Sequence, residues 1–305
     1  MPGITRERPE KGEKRRRGGR AACRLAQVTA AVALVTAPLT AQRPSAEPPP
    51  YLRDRGTGVR TSLLGTYVRQ REVLVYAFFE WYADKNLEYK PSELGYGPSV
   101  IDYRGRYRAS EGLVFFGYGL TPDVALEFEA AVISAELRTS PDDTSSAKPP
   151  RVRESGDGDV EGQIRWRFQR ETASRPELFT YFGTVLPLQK DRHIIGTQHW
   201  EHFFGLGLVK GFRWGTMTVR VAAEYSAAAS PKFDAGEYAI EYLRRLSPKW
   251  CVVAAIEGSQ VDEVSLITET QWQPSRHVTF KFNHALGVTM NSTDFAPEVG
   301  LMISF

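Results

Sequence analysis

The sequence predicts an all-β fold, a closed antiparallel transmembrane β-barrel of about 12 strands, and three observations predict it. From Arg71 onward, segments of about ten residues rich in β-branched and aromatic side chains recur. The connections between them alternate between tight turns and longer polar links. Within the clearest segments one parity is apolar and the other charged, so a soluble core cannot lie on the charged side.

The chain begins with a basic stretch, "KGEKRRRGGRAACR", an apolar run, "LAQVTAAVALVTAPLTA", and small residues before Gln42. That layout is a secretory signal peptide over residues 1–41, cut near Ala41. Its apolar centre, Leu25 to Ala37, is 13 residues and falls short of the ~20 a membrane-spanning helix needs. The segment holds nine basic and three acidic residues, so the remainder has 30 basic against 33 acidic and the formal +3 of the whole chain gives no reason to expect a nucleic-acid partner. Cys23 leaves with the leader and Cys251 has no partner, so no disulfide framework is available.

Residues 42–70 form an N-terminal tether that opens on the Pro-rich "QRPSAEPPP". The following "RGTGVRTSLLGTYV" either enters the lumen as a small plug or sits at the periplasmic mouth, the position preferred from sequence. The barrel itself occupies 71–305. Its strands are expected at 72–82, 108–119, 124–137, 159–169, 178–187, 200–210, 216–226, 236–246, 250–257, 263–273, 278–288 and 296–305. Tight links such as "LTPD", "GFRWG", "SPK" and "PSRH" alternate with looser ones at 83–107, 138–158, 188–199 and 227–235. In outer-membrane barrels the periplasmic links are the short ones, and an even strand number places both termini on the periplasmic side.

Alternation assigns faces. In "VEGQIRWRF", Val160, Gly162, Ile164, Trp166 and Phe168 oppose Glu161, Gln163, Arg165 and Arg167. In "TMTVRVAAEY", Val219 and Val221 oppose Thr218 and Arg220, and in "VTFKFNHALGV" Phe280 and Phe282 oppose Lys281. Segments "LVYAFFEWY", "GLVFFGYGL" and "LFTYFGTVL" are apolar at both parities and leave their faces open. A soluble β-sandwich or lipocalin-like barrel is the competing fold. Against it, all six tryptophans fall near strand ends, where indole rings suit a membrane interface: Trp166, Trp214, Trp250 and Trp272 on the short-turn side, Trp81 and Trp200 on the long-loop side. Phe305 joins the short-turn girdle at the end of "PEVGLMISF". Lipid offers no partner for an open strand edge, so the last strand must pair with the first.

The inward set expected to line the lumen is Glu127, Glu129, Glu161, Arg165, Arg167, Arg220, Glu224, Glu237, Glu241, Glu269 and Lys281. These charges either filter solutes in a narrow polar passage or close it by pairing with one another. Catalysis finds little support. His284 follows Asn283 with no serine motif beside it, and His193, His199 and His202 are too loosely spaced around Glu201 for a metal site. No cofactor and no enzyme activity are expected.

The stretches "YGLTPDVALEFEAAV", "SGDGDVEGQIRWRF" and "HFFGLGLVKGFRWGTMTV" resemble the outer-membrane barrels labelled as the MetA-pathway of phenol degradation, a group of transporters. The resemblance covers residues 107–226 and extends loosely to the C-terminus; the Pro-rich, charged link 138–158 departs from the pattern, so no loop-borne ligand site is carried over. It implies passage of small solutes, aromatic or hydrophobic ones included, through the outer membrane of a Gram-negative bacterium. The terminal Phe is similar to the signal read by the barrel-assembly machinery, so the expected partners are that machinery, outer-membrane lipid and a small solute. The alternatives are a closed structural envelope barrel and an outer-membrane enzyme acting on lipid.

Overall fold

The last strand meets the first. A computed structural model describes residues 48–305 apart from 146, 228–232 and 260–262. The expected leader, 1–41, and the start of the tether, 42–47, lie outside the described residues. Among those described, Phe295–Ser304 pairs antiparallel with Val73–Tyr89, from Phe295 against Ala83 to Ser304 against Leu74. Beyond that ladder, Phe305 and Val73 exchange two backbone hydrogen bonds of 3.0 and 3.2 Å. Closure leaves no edge whose N–H and C=O groups would face hydrocarbon.

In chain order the strands are β1 (Val59–Arg60), β2 (Tyr67–Val68), β3 (Val73–Tyr89), β4 (Tyr103–Gly119), β5 (Val124–Arg138), β6 (Arg151–Gln169), β7 (Glu177–Val185), β8 (Glu201–Phe212), β9 (Gly215–Ser226), β10 (Phe233–Ser247), β11 (Trp250–Gly258), β12 (Val264–Ser275), β13 (Val278–Gly287) and β14 (Phe295–Ser304). Strands β3 to β14 make the twelve-stranded closed barrel, each antiparallel to its sequence neighbours; β1 and β2 form a separate two-stranded ladder. One 3-10 turn, Pro50–Leu52, precedes them.

Three strands outrun the sequence expectation. β3, β4 and β6 continue through 83–89, 103–107 and 151–158, which read as loop because they show no apolar face. At 17 to 19 residues these strands exceed the ~10 that a bilayer requires, so their far ends project past it. Cross-strand charge pairs hold the projections together: Glu88 faces Arg104 with 2.8 Å between the charged groups, and Glu136 bonds Arg153 at 2.7 Å and lies 3.3 Å from Arg151.

The barrel turns its apolar side outward. Phe79, Val114, Phe128, Val132, Ile164, Phe182, Leu206, Val221, Ile240, Ile256, Phe282 and Val299 are all exposed, one or more on each of eleven strands, while Arg165, Glu241, Glu269 and Lys281 are buried. A soluble protein would be inside out by this arrangement, whereas hydrocarbon accepts it. All six tryptophans are exposed. At the short-turn end, Phe212, Trp214 and Tyr242 stack in series at 4.8 and 5.8 Å, and Trp250, Trp272 and Phe280 at 6.2 and 5.3 Å. At the other end Trp81 packs edge-on to Phe295, and Trp200 stacks on His202.

The three ambiguous segments have aromatic interiors. Tyr76, Phe115, Phe179 and Tyr181 point inward and are buried. Glycines on neighbouring strands make room for them: a Cβ on Gly205 would lie 1.9 Å from the Tyr181 ring, and one on Gly207 2.2 Å from Phe179. Gly205 and Gly207 of "HFFGLGLVKGF" are thus seats for rings from β7.

Residues 50–70 occupy the inside of the barrel at its short-turn end, the lumenal position rather than the mouth. Val59 and Val68 bury themselves against Leu74 and Ala125 of the wall. Close backbone approach fixes the segment at both sides, since a Cβ on Gly119 would strike the Arg69 carbonyl and one on Gly211 the Tyr51 carbonyl, each at 1.8 Å. The chain then swings into β3 through Arg71, whose φ of 63° is uncommon for a residue other than glycine.

Candidate functional site: the lumenal cavity

Ion pairs bind the N-terminal segment to the wall, which makes it a plug. Arg55 sits 2.9 Å from Glu171 and 3.0 Å from Glu177, and Arg60 is 2.6 Å from Glu241, every side chain being almost fully buried. Arg167 donates to the carbonyls of Thr57 and Gly58 at 3.1 and 2.9 Å while pairing with Asp123 and Glu177. Glu127 accepts from both the backbone N–H and the hydroxyl of Ser62. Lys281 donates to the Leu64 carbonyl at 2.9 Å.

Beyond the tip of this plug lies a cavity of about 450 Å³ whose floor is Ser62, Leu63 and Leu64. Of the eleven residues expected inside, eight line it: Glu129, Glu161, Arg165, Arg220, Glu224, Glu237, Glu269 and Lys281. The other three, Glu127, Arg167 and Glu241, lie deeper toward the short-turn end and grip the plug. Sequence reasoning missed Glu201, Glu257 and Glu298, which also line the cavity, together with Tyr181 and Phe203. Parity next to outward Ile256 and Val299 was the available signal for two of them.

The cavity's cations are already engaged. Arg165 Nε is 3.0 Å from Glu127, Arg220 lies 2.8 and 2.7 Å from Glu237 and Glu257, and Lys281 is 3.0 Å from Glu269. Arg165 also lies 4.6 Å from the centre of the Tyr181 ring. Along the same wall, strand register sets Glu80 directly across from both Glu111 and Glu298, and Glu129 across from Glu161. Tyr82 donates to Glu80 at 2.7 Å and Tyr76 donates to Glu298.

The link 186–200 folds over the far side. Ile195 is buried with Ala109 and Ala135 on the inner face of β4 and β5, and Glu154 receives the backbone N–H groups of His193 and Ile194 at about 3.0 and 2.9 Å. Glu201 faces the cavity, whereas His202 stacks between Trp200, Phe182 and Tyr225. Asn283 lines the cavity, while His284 turns away to meet Thr268 and the exposed Phe295.

No family model matches the chain. No curated protein matches it either. Among solved structures, the COG4313 outer membrane channel from Pseudomonas putida F1 is similar over 78% of this chain and 97% of that one, with a TM-score of 0.55 at 12% identity. The translocator domain of the autotransporter NalP from Neisseria meningitidis aligns over 78% and 90% at a TM-score of 0.45 and 10% identity. A KdgM porin, solved with disordered oligogalacturonate, aligns over 76% and 99% at 0.46 and 7%. At such identities the first likeness is one of fold, that of an outer-membrane barrel.

Proposed function

We propose that this chain is a barrel of the Gram-negative outer membrane that passes small solutes through a narrow, plug-restricted lumen. The observation that supports this most is a polar cavity left open inside a closed barrel with an apolar exterior. Delivery by a leader cut near Ala41, insertion by the barrel-assembly machinery, and a periplasmic position for the short turns belong to the same proposal. So does membership of the MetA-pathway barrels, which rests on the resemblance over residues 107–226 and, loosely, on to the C-terminus. In the COG4313 relative the same architecture is called a channel, and twelve strands lie between filled barrels of about eight and wide porins of about sixteen.

The buried ion pairs of Arg55 and Arg60 favour a second reading, a closed structural barrel. Planar-bilayer recording separates the two. The channel reading expects discrete single-channel steps from purified protein, and larger steps from Arg60→Ala, which releases the plug from Glu241. Silent bilayers from both proteins, each with the mobility shift on heating of a folded barrel, would favour the structural reading.

A further inference from the structure

Eight carboxylates line the cavity against three cations, Arg165, Arg220 and Lys281. Each of those cations is committed to a carboxylate within 3.0 Å. Glu129, Glu161 and Glu201 belong to no ion pair among the described residues. Cross-strand register makes the imbalance more pointed, because like charges set directly opposite destabilise a sheet, and Glu129 faces Glu161 while Glu80 faces Glu111 and Glu298. A sheet that keeps such pairs crowds acidic groups together at a cost in stability, which functional sites do and inert walls have no reason to do.

A second feature points to a ligand. The hydroxyl of Tyr181, a residue only 4% exposed, lines this cavity and has no hydrogen-bond partner. It is an oxygen available to a donor. The carboxylates are spread around the wall, and among the described residues no three acidic or His/Cys side chains converge closely enough to hold a metal ion. Between them lie apolar surfaces, Leu63 and Leu64 on the floor and Phe203 and Val185 on the wall. Dispersed carboxylates, an unpartnered hydroxyl and an apolar bed match a cation that carries a hydrocarbon stem.

We propose that the cavity above the plug binds small organic ammonium ions and that the barrel passes cations in preference to anions; the second half rests on the channel reading. The ammonium group would sit among Glu129, Glu161 and the Tyr181 hydroxyl, with its stem against Phe203 and the plug tip. Carboxylate-lined passages select cations by the same field.

The test uses the full chain in planar bilayers under a KCl gradient, with butylammonium and butyrate as a matched pair of probes. K⁺ should permeate several-fold better than Cl⁻, by the order expected of a carboxylate ring, and butylammonium but not butyrate should block the current. Glu161→Gln and Tyr181→Phe should each raise the half-blocking concentration by about tenfold, the loss of one charge-assisted hydrogen bond. Tyr181→Phe keeps its ring over Gly205, so it tests the hydroxyl without disturbing the fold. Glu88→Gln, out on the projecting end of β3, should change nothing. A conducting channel that prefers Cl⁻, or that both probes block equally, would overturn the inference and leave the channel standing. Should the bilayers be silent, the channel reading fails, and calorimetric titration of butylammonium into the detergent-solubilised barrel decides whether the site exists.

Discussion

At the scale of single residues, the short-turn end depends on charge held by geometry. Asp123, in the turn between β4 and β5, is bonded by Arg170 through two contacts of 2.7 Å and by Arg167 at 3.0 Å. Those bonds, Arg170 first, hold its carboxyl below the ordinary carboxylate range. A carboxyl depressed by folding contributes stability that is complete above its unfolded pKa of about 4 and disappears as pH falls through the folded value. Urea unfolding of the refolded barrel should therefore show Asp123→Asn less stable than the parent at neutral pH, with the difference closing on acidification below about pH 4. A gap that persists unchanged at pH 3 would assign the effect to something other than this charge. Which way a residue faces is legible in the sequence where one parity is charged, as around Arg165 and Lys281, both buried, because a one-residue slip would carry those groups into lipid. It could not foresee their partners: that Arg60 would meet Glu241 across 181 positions is a consequence of the plug's entry into the barrel.

At the scale of elements, turn chemistry and period two located all twelve barrel strands. Three of them were cut short. The outer ends of β3, β4 and β6 carry charged residues such as Glu88, Arg106 and Arg153 on their outward side, so hydrophobic alternation has nothing to report there, and the ladder persists through pairs such as Glu88 and Arg104. The strands with apolar residues at both parities were illegible for a different reason. Their inner faces carry aromatic rings laid on glycines, a relation between neighbouring strands that one strand's pattern does not contain. It has a measurable consequence. Gly205→Ala drives a methyl into the Tyr181 ring and should destabilise the barrel by about 1–3 kcal/mol, while Ala223→Gly on the outward parity of β9 should stay within about 1 kcal/mol. Equal stability of the Gly205 variant and the parent in urea titration would show that the ring is free to move away.

At the scale of the whole molecule, the sequence announces the barrel and conceals the plug. Closure follows from the insolubility of backbone polar groups in hydrocarbon, so it can be anticipated as soon as the outward face is known. The position of residues 50–70 cannot, because "RGTGVRTSLLGTYV" has too few apolar residues to display a period and is held by scattered pairs with five strands or turns of the wall. What remains between plug and loop is a cavity, and the account turns on whether that cavity is a stretch of the path across the membrane. The most direct measurement places a cysteine at Glu161 in a Cys251→Ser background and follows single channels while a positively charged thiol reagent is added. The step size should fall on modification of Glu161→Cys and stay constant for Ile164→Cys, which faces out. Currents that ignore modification at position 161, once labelling there is verified by mass, would mean that solutes do not travel through this cavity.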